Sequence, residues 1–250
     1  MLNPFGALGK AMRDLFDDFL LLIVCNMIWS LMCLPIWLFA LFLLGEGAGL
    51  LTIIVALLGV VPAGPATAGI FHIAYRVADG RASRVRDFFV GMRQYARPGW
   101  AVVGVATASL LLIGYSLGFY LTVTNLFGAI MLGLWLYGLI FWLSMLLYAP
   151  ALVVLQERHD LRLVARNAFL MALGRPIFTV LNCLLLVVLL VLSSYLVLPL
   201  FLVTMSFFAL WSVHAARQLI EDARRRRESA DPSPVVLPEE RGRKGQVRPK

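Results

Sequence analysis

The stretch FLLLIVCNMIWSLMCLPIWLFALFLLG, residues Phe19–Gly45, contains no charged side chain. A helix needs about 20 apolar residues to cross the hydrocarbon of a bilayer, and this run exceeds that length. Asp14, Asp17 and Asp18 precede it. Its length also exceeds the apolar core of a cleavable leader, about 7–15 residues, so it is expected to stay in the membrane.

Working outward, three more uncharged runs follow. One lies between Glu46 and Arg76 and has room for one span. The others, 98–156 and 176–216, each have room for a helical hairpin. Thr122-Val-Thr-Asn125 interrupts the first of these, and Ser193-Ser194 with Pro199 interrupts the second. The expected fold is therefore all-α: a polytopic membrane protein with six transmembrane helices at about 19–44, 50–75, 98–121, 127–150, 176–193 and 197–216.

Charge supports this count. All 22 Lys and Arg residues fall in four stretches, 10–13, 76–97, 158–175 and 217–250, which hold 2, 6, 4 and 10 of them. Six spans bring all four stretches to one side, and the excess of Lys and Arg in cytoplasmic loops makes that side the cytosol. Glu46 is the one charge left for the opposite loops. The composition agrees: 61% of residues are hydrophobic, 14% are charged, and mean hydropathy is +0.86. A soluble domain carries about 25% charged residues. The net charge of +8 is read as topology and as attraction to anionic headgroups, which disfavours nucleic acid as a partner.

Two of the basic stretches have helical periodicity. Ser83 is placed to cap a helix carrying Val85, Phe88, Phe89, Met92 and Ala96 on one stripe, with Arg84, Arg86 and Arg93 on other faces. Asp160 is placed to cap a second, with Leu161, Val164, Ala168 and Met171 on a stripe and Arg162 and Arg166 elsewhere. Both are expected to be amphipathic helices lying in the cytosolic interface, where these arginines meet lipid or a partner protein. Each ends in Arg-Pro, at Arg97-Pro98 and Arg175-Pro176, and the matching layout hints at an internal repeat offset by 78 residues. Residues 221–250, rich in Arg and Pro, are expected to form a disordered basic tail.

Candidate functional positions are few. Val61-Pro-Ala-Gly-Pro-Ala-Thr-Ala-Gly69 places Pro62 and Pro65 in mid-membrane, so a straight helix is not expected there. Gly64, Pro65, Thr67 and Gly69 either line a binding break of the kind transporters use or form a packed kink of small residues. Asn26 and Asn182 lie at similar depth from the inner side and could bond each other across the bundle or line a polar cleft. His72 and His214 lack a third metal ligand, and Cys25, Cys33 and Cys183 show no paired spacing. No Asp, Glu, Lys or Arg falls inside a span, and no hydrolase or nucleotide-binding signature occurs. An enzyme is therefore not expected, and no cofactor or metal is assigned.

Several segments together resemble one family. Asn26-Met-Ile-Trp29 with Leu34-Pro35, Gly64-Pro-Ala-Thr-Ala-Gly-Ile-Phe71, Val85-Arg-Asp-Phe-Phe89, Tyr148-Ala-Pro150 and Arg166-Asn-Ala-Phe169 are similar to the YesL family of bacterial membrane proteins. The similarity covers about residues 5–220, and the apolar stretch 38–58 departs from the shorter members. The resemblance implies a multi-pass protein of the bacterial inner membrane, with no established activity and a setting near carbohydrate uptake. Its implied partners are the lipid bilayer and an ABC-type sugar importer or other membrane protein. The expected function is an accessory or regulatory component of such a system; the alternative is a facilitator for a small neutral solute.

Overall fold

The computed structural model describes residues 4–156, 160–196 and 200–230. Nine α-helices account for nearly all of these residues, and no strand occurs among them. They are α1 (Pro4–Asp17), α2 (Phe19–Gly45), α3 (Gly49–Ala78), α4 (Val85–Gln94), α5 (Ala96–Leu121), α6 (Leu126–Leu155), α7 (Leu161–Gly174), α8 (Pro176–Tyr195) and α9 (Met205–Ala230). A single π-helical turn, Leu200–Thr204, leads into α9. Among the described residues, five helices are long and apolar enough to cross a membrane: α2, α3, α5, α6 and α8.

The first half of α9 is the centre of the molecule. Every residue from Ser206 to Ala216 is buried, including Trp211, Ser212 and Ala215. A helix apolar on all sides satisfies itself only when surrounded, and α1, α2, α3 and α6 surround this one. Helix α5 leans on α3 and α6 from outside, and α7 and α8 pack against α6.

The helix ends follow local chemistry. Helices α2 and α3 close with Gly47 and Gly80 at φ +75° and +67°, a backbone region in which glycine carries no Cβ penalty. The following amides reach back, Ala48 N–H to Leu43 O at 3.0 Å and Arg81 N–H to Arg76 O at 3.0 Å, so both ends are Schellman caps. Asn125 caps α6 by accepting from the Gly128 amide at 2.8 Å, and Asp160 caps α7 by accepting from Arg162 N–H at 3.0 Å.

Several expectations need correction. The chain does not break at 62–69, because α3 runs unbroken through Pro62 and Pro65. The cap of α4 is not Ser83: the Arg84 amide donates to the Asp87 carboxylate at 2.9 Å, while Ser83 Oγ accepts from Arg76 Nε at 3.2 Å. The expected stripe of α4 is shifted too, with Phe88, Gly91 and Tyr95 buried and Phe89 exposed. In place of a plain helix over 197–216 there is the π turn, followed by α9. Helix α9 continues through 221–230, part of the expected tail, while Pro199 and residues 231–250 lie outside the described residues. Helix α1 was not anticipated. Its Ala7, Ala11 and Leu15 are buried at four-residue spacing, and it packs mainly on α9.

Candidate functional site

The Gly64 segment is a packing surface. A Cβ built on Gly64 would come within 2.8 Å of Trp100 Cα and 2.9 Å of Trp100 N, and one on Gly99 would lie 2.5 Å from Gly64 O. The backbones of α3 and α5 therefore touch, which only small residues permit. Five residues on, a Cβ at Gly69 would meet Phe88 O at 2.8 Å, so the same helix receives α4 there. Gly91 of α4 in turn lies against His72.

At Pro65 a neighbour replaces the missing donor. Pro65 has no N–H to give to Val61 O. The indole Nε1–H of Trp100 donates to that carbonyl instead, at 2.8 Å. An unmet carbonyl in lipid would cost several kcal/mol, about what makes prolines rare inside helices. Thr67 is buried as well, and its Oγ1 accepts from Trp29 Nε1–H at 3.1 Å.

Asn26 and Asn182 are both fully buried, and each is engaged with a different partner. Asn26 is inserted into the irregular start of the last helix. Its Nδ2 donates to Phe201 O at 2.7 Å, and its Oδ1 accepts from Ser206 N–H at 2.8 Å. These two backbone groups are five residues apart, the pair a continued π-helix would join directly. The carboxamide fills the gap as a surrogate peptide group. Ser30 Oγ adds a bond to Phe201 O at 3.3 Å, and Ser206 Oγ donates to Leu22 O at 2.8 Å.

Asn182 accepts from Trp211 Nε1–H at 2.9 Å and donates to Phe178 O at 2.7 Å in its own helix. Around it lie Tyr148 and Thr179, whose hydroxyls are 3.1 Å apart, and Ser144 against Cys183 at 3.4 Å. Ser212 Oγ bonds Leu147 O. The expected bond between the two asparagines is replaced by these separate networks. Both end on α9, whose Ser206, Trp211 and Ser212 carry no signal in the sequence because they sit in an apolar run without periodicity.

The charged end of the bundle holds a second constellation. Arg217 on α9 donates to Ala78 O at 3.0 Å, pairs with Asp79 at 2.5 Å and lies over the Tyr75 ring at 5.2 Å. It thus caps the last carbonyls of α3, where a cation is favoured by the helix dipole. His214 Nε2 lies 2.6 Å from Asp14 Oδ2 and ties α1 to α9. Between α1, α3 and α9 opens a hollow of about 750 Å³ whose lining mixes Lys10, Arg13 and Arg81 with Asp17, Asp18 and Glu221. Burial, then the charges of Asp17 and Asp14, raise the Asp18 carboxyl above its ordinary pKa.

Of the expected surface arginines, Arg84, Arg86 and Arg93 are exposed on α4 and Arg162 and Arg166 on α7. A further hollow of about 490 Å³ separates α7 from the outer turns of α9. Among the described residues no three His, Cys, Asp or Glu side chains gather as metal ligands. No protein-family model, no curated protein and no solved structure matches the chain.

Proposed function

We propose that this protein is a non-enzymatic accessory or regulatory partner of a carbohydrate-uptake system. In this reading it is held in the bacterial cytoplasmic membrane by six crossings with both termini in the cytosol, as a member of the YesL family. Support for six crossings comes from the four basic stretches, which an even number of spans brings together. The π turn and the apolar start of α9 serve as the sixth crossing.

The observation that carries the reading is the engagement of the polar groups that a solute path would use. Asn26, Thr67 and Asn182 are committed to Ser206, Trp29 and Trp211, and Gly64 is closed by Trp100. A facilitator would need such groups turned toward a path. What remains for recognition is the arginine-bearing surface. Helix α4 exposes Phe89 and Val90 beside Arg86 and Arg93, and α7 exposes Phe169 and Leu170 beside Arg162 and Arg166. Helix α1 exposes Phe5, Met12 and Phe16 beside Arg13. Apolar and basic groups side by side suit the headgroup layer and a membrane partner resting in it.

Two measurements test this. The purified chain in liposomes should move no neutral sugar faster than protein-free vesicles, and it should co-purify with named subunits of a sugar importer from bacterial membranes. Rapid flux by the protein alone would overturn the accessory reading in favour of a facilitator.

A further inference from the structure

The hollow between α7 and α9 combines an apolar floor with a guanidinium rim. Leu170 of α7 and Leu219 and Ile220 of α9 line it, with Arg175, Arg224 and Arg227 at its edge. Its volume of about 490 Å³ lies in the range of pockets that hold small ligands, about 300–1,000 Å³.

The rim is organised by a carboxylate. Asp222 accepts from Arg175 Nη2 at 2.8 Å and Nε at 3.3 Å, and lies 3.1 Å from Arg226 Nε. Its single charge therefore holds two guanidiniums in place, and Arg224 and Arg227 add to an excess of positive charge. Arg224 reaches Glu228 at 3.3 Å, but that pair is largely exposed and of the weak surface kind.

Arg175 also marks a level. It immediately precedes Pro176, the first residue of apolar α8. Next to it, Ile177 is 85% exposed and Leu173 is 50% exposed. The apolar surface of Leu173 and Ile177 thus adjoins the basic edge of the hollow at Arg175.

We propose that this hollow is a binding site for the phosphodiester headgroup of an anionic phospholipid. The guanidiniums around Asp222 take the phosphate, and the acyl chains run down over Leu173 and Ile177. Guanidinium forks match phosphate oxygens in bidentate geometry, and basic pockets beside transmembrane helices are suited to such headgroups. The apolar floor favours lipid over nucleic acid, which would demand aromatic stacking or a longer basic track. The proposal rests on this end lying at the headgroup layer and is independent of any uptake partner.

The test uses the full chain in nanodiscs of phosphatidylcholine with and without phosphatidylglycerol or cardiolipin. Retained lipid is read by native mass spectrometry after transfer to detergent. Because nanodiscs present both leaflets, the result does not depend on orientation in the cell. Anionic lipid should be retained in preference to phosphatidylcholine. The double variant R224Q/R227Q should weaken retention about thirtyfold, equivalent to about 1 kcal/mol for each arginine at a lipid surface. The charge-matched control R97Q/R225Q, two exposed arginines that do not line the hollow, should retain lipid like the unaltered chain. Equal loss in both variants would mean diffuse attraction and would overturn the site. Displacement by millimolar inorganic phosphate would identify a free-phosphate site, and tighter binding of an oligonucleotide through the same two arginines would identify a nucleic-acid site. Either result would overturn the lipid assignment.

Discussion

The chain carries two units of similar plan that are held together differently. In the first, the 30-residue α3, the short α4 and the long α5 follow one another, with Arg97-Pro98 entering α5. In the second, the 30-residue α6, the short α7 and α8 do the same, with Arg175-Pro176 entering α8. The first unit is closed by glycine: Gly64 against Trp100, Gly99 against Gly64, Gly69 against Phe88 and Gly91 against His72. The second is closed by hydroxyls and an amide, with Tyr148 bonding Thr179, Ser144 bonding Cys183, and Asn182 bonding Trp211 of α9. Between helices in lipid the hydrophobic effect contributes little, so cohesion comes from close packing or from hydrogen bonds. The first unit relies mainly on close packing, to which Trp100 and Tyr115 add bonds to Val61 O and Gly49 O, and the second relies on hydrogen bonds.

The contrast can be broken most directly at Gly64. G64L puts a branched side chain where even a Cβ meets the Trp100 backbone. Overpacking costs about 1–3 kcal/mol and sometimes more, and here backbone rather than a pliant side chain must yield. We expect little folded protein in the membrane. Normal yield and unchanged detergent unfolding would disprove the close approach of α3 and α5.

Next in size is Asn26→Ala, which strands Ser206 N–H inside the protein and leaves Phe201 O only the longer bond from Ser30 Oγ. An unsatisfied buried group costs about 1–3 kcal/mol. Detergent unfolding should show a loss in that range, and amide exchange should accelerate at Ser206. An effect under about 0.5 kcal/mol, the level of an ordinary surface change, would mean that the turn does not depend on this carboxamide.

Sharper still is a pair of double-mutant cycles. Asn182→Ala and Trp211→Phe should couple by about 0.6 kcal/mol, the average for membrane hydrogen bonds. Asn26→Ala and Asn182→Ala share no partner and should add within about 0.3–0.5 kcal/mol. Strong coupling between the asparagines would join networks that the contacts keep separate.

The smallest expected effect is electrostatic. Burial and the neighbours Asp17 and Asp14 raise the Asp18 carboxyl from 3.8, so the folded state holds this proton more tightly than the unfolded state. Stability linked to it is therefore full below 3.8 and declines as pH climbs from there through the raised pKa. D18N should match the unaltered chain in acid and be slightly more stable at neutral pH. A variant less stable at neutral pH would reverse the sign.

Much of this architecture was legible because charge is expensive in lipid. The uncharged runs bounded by Asp18, Glu46, Arg76, Arg97, Glu157, Arg175 and Arg217 correspond closely to α2, α3, the α5 start, the α6 end and the α8 start. What stayed hidden depends on neighbours far along the chain. Two prolines and two glycines in 62–69 are compatible with a broken helix or a whole one, and Trp100 favours the whole one by donating to Val61 O. The asparagines were recognisable as interior residues, but their partners depend on how α9 is rotated. Helix α1 escaped notice because its inward stripe includes the small Ala7 and Ala11, while larger Phe5 and Phe16 point outward. Lipid preference, solute traffic and protein partners leave weaker marks in sequence than span boundaries do.

The π turn before α9 has a geometric consequence. One residue of an α-helix advances the chain by about 100° around the axis, and a π turn accommodates an extra residue without ending the helix. Downstream, the rotation of α9 is clamped three times, by Trp211 to Asn182, His214 to Asp14 and Arg217 to Asp79. On the other side, Ser193 Oγ of α8 meets Thr204 Oγ1, at the end of the turn, at 2.8 Å. The turn at Leu200–Thr204 acts as a phase adjuster between these two settings. Deleting one residue there would regularise the helix locally, yet it would set the two ends about a quarter-turn out of step and leave the Asn26 amide no gap to fill.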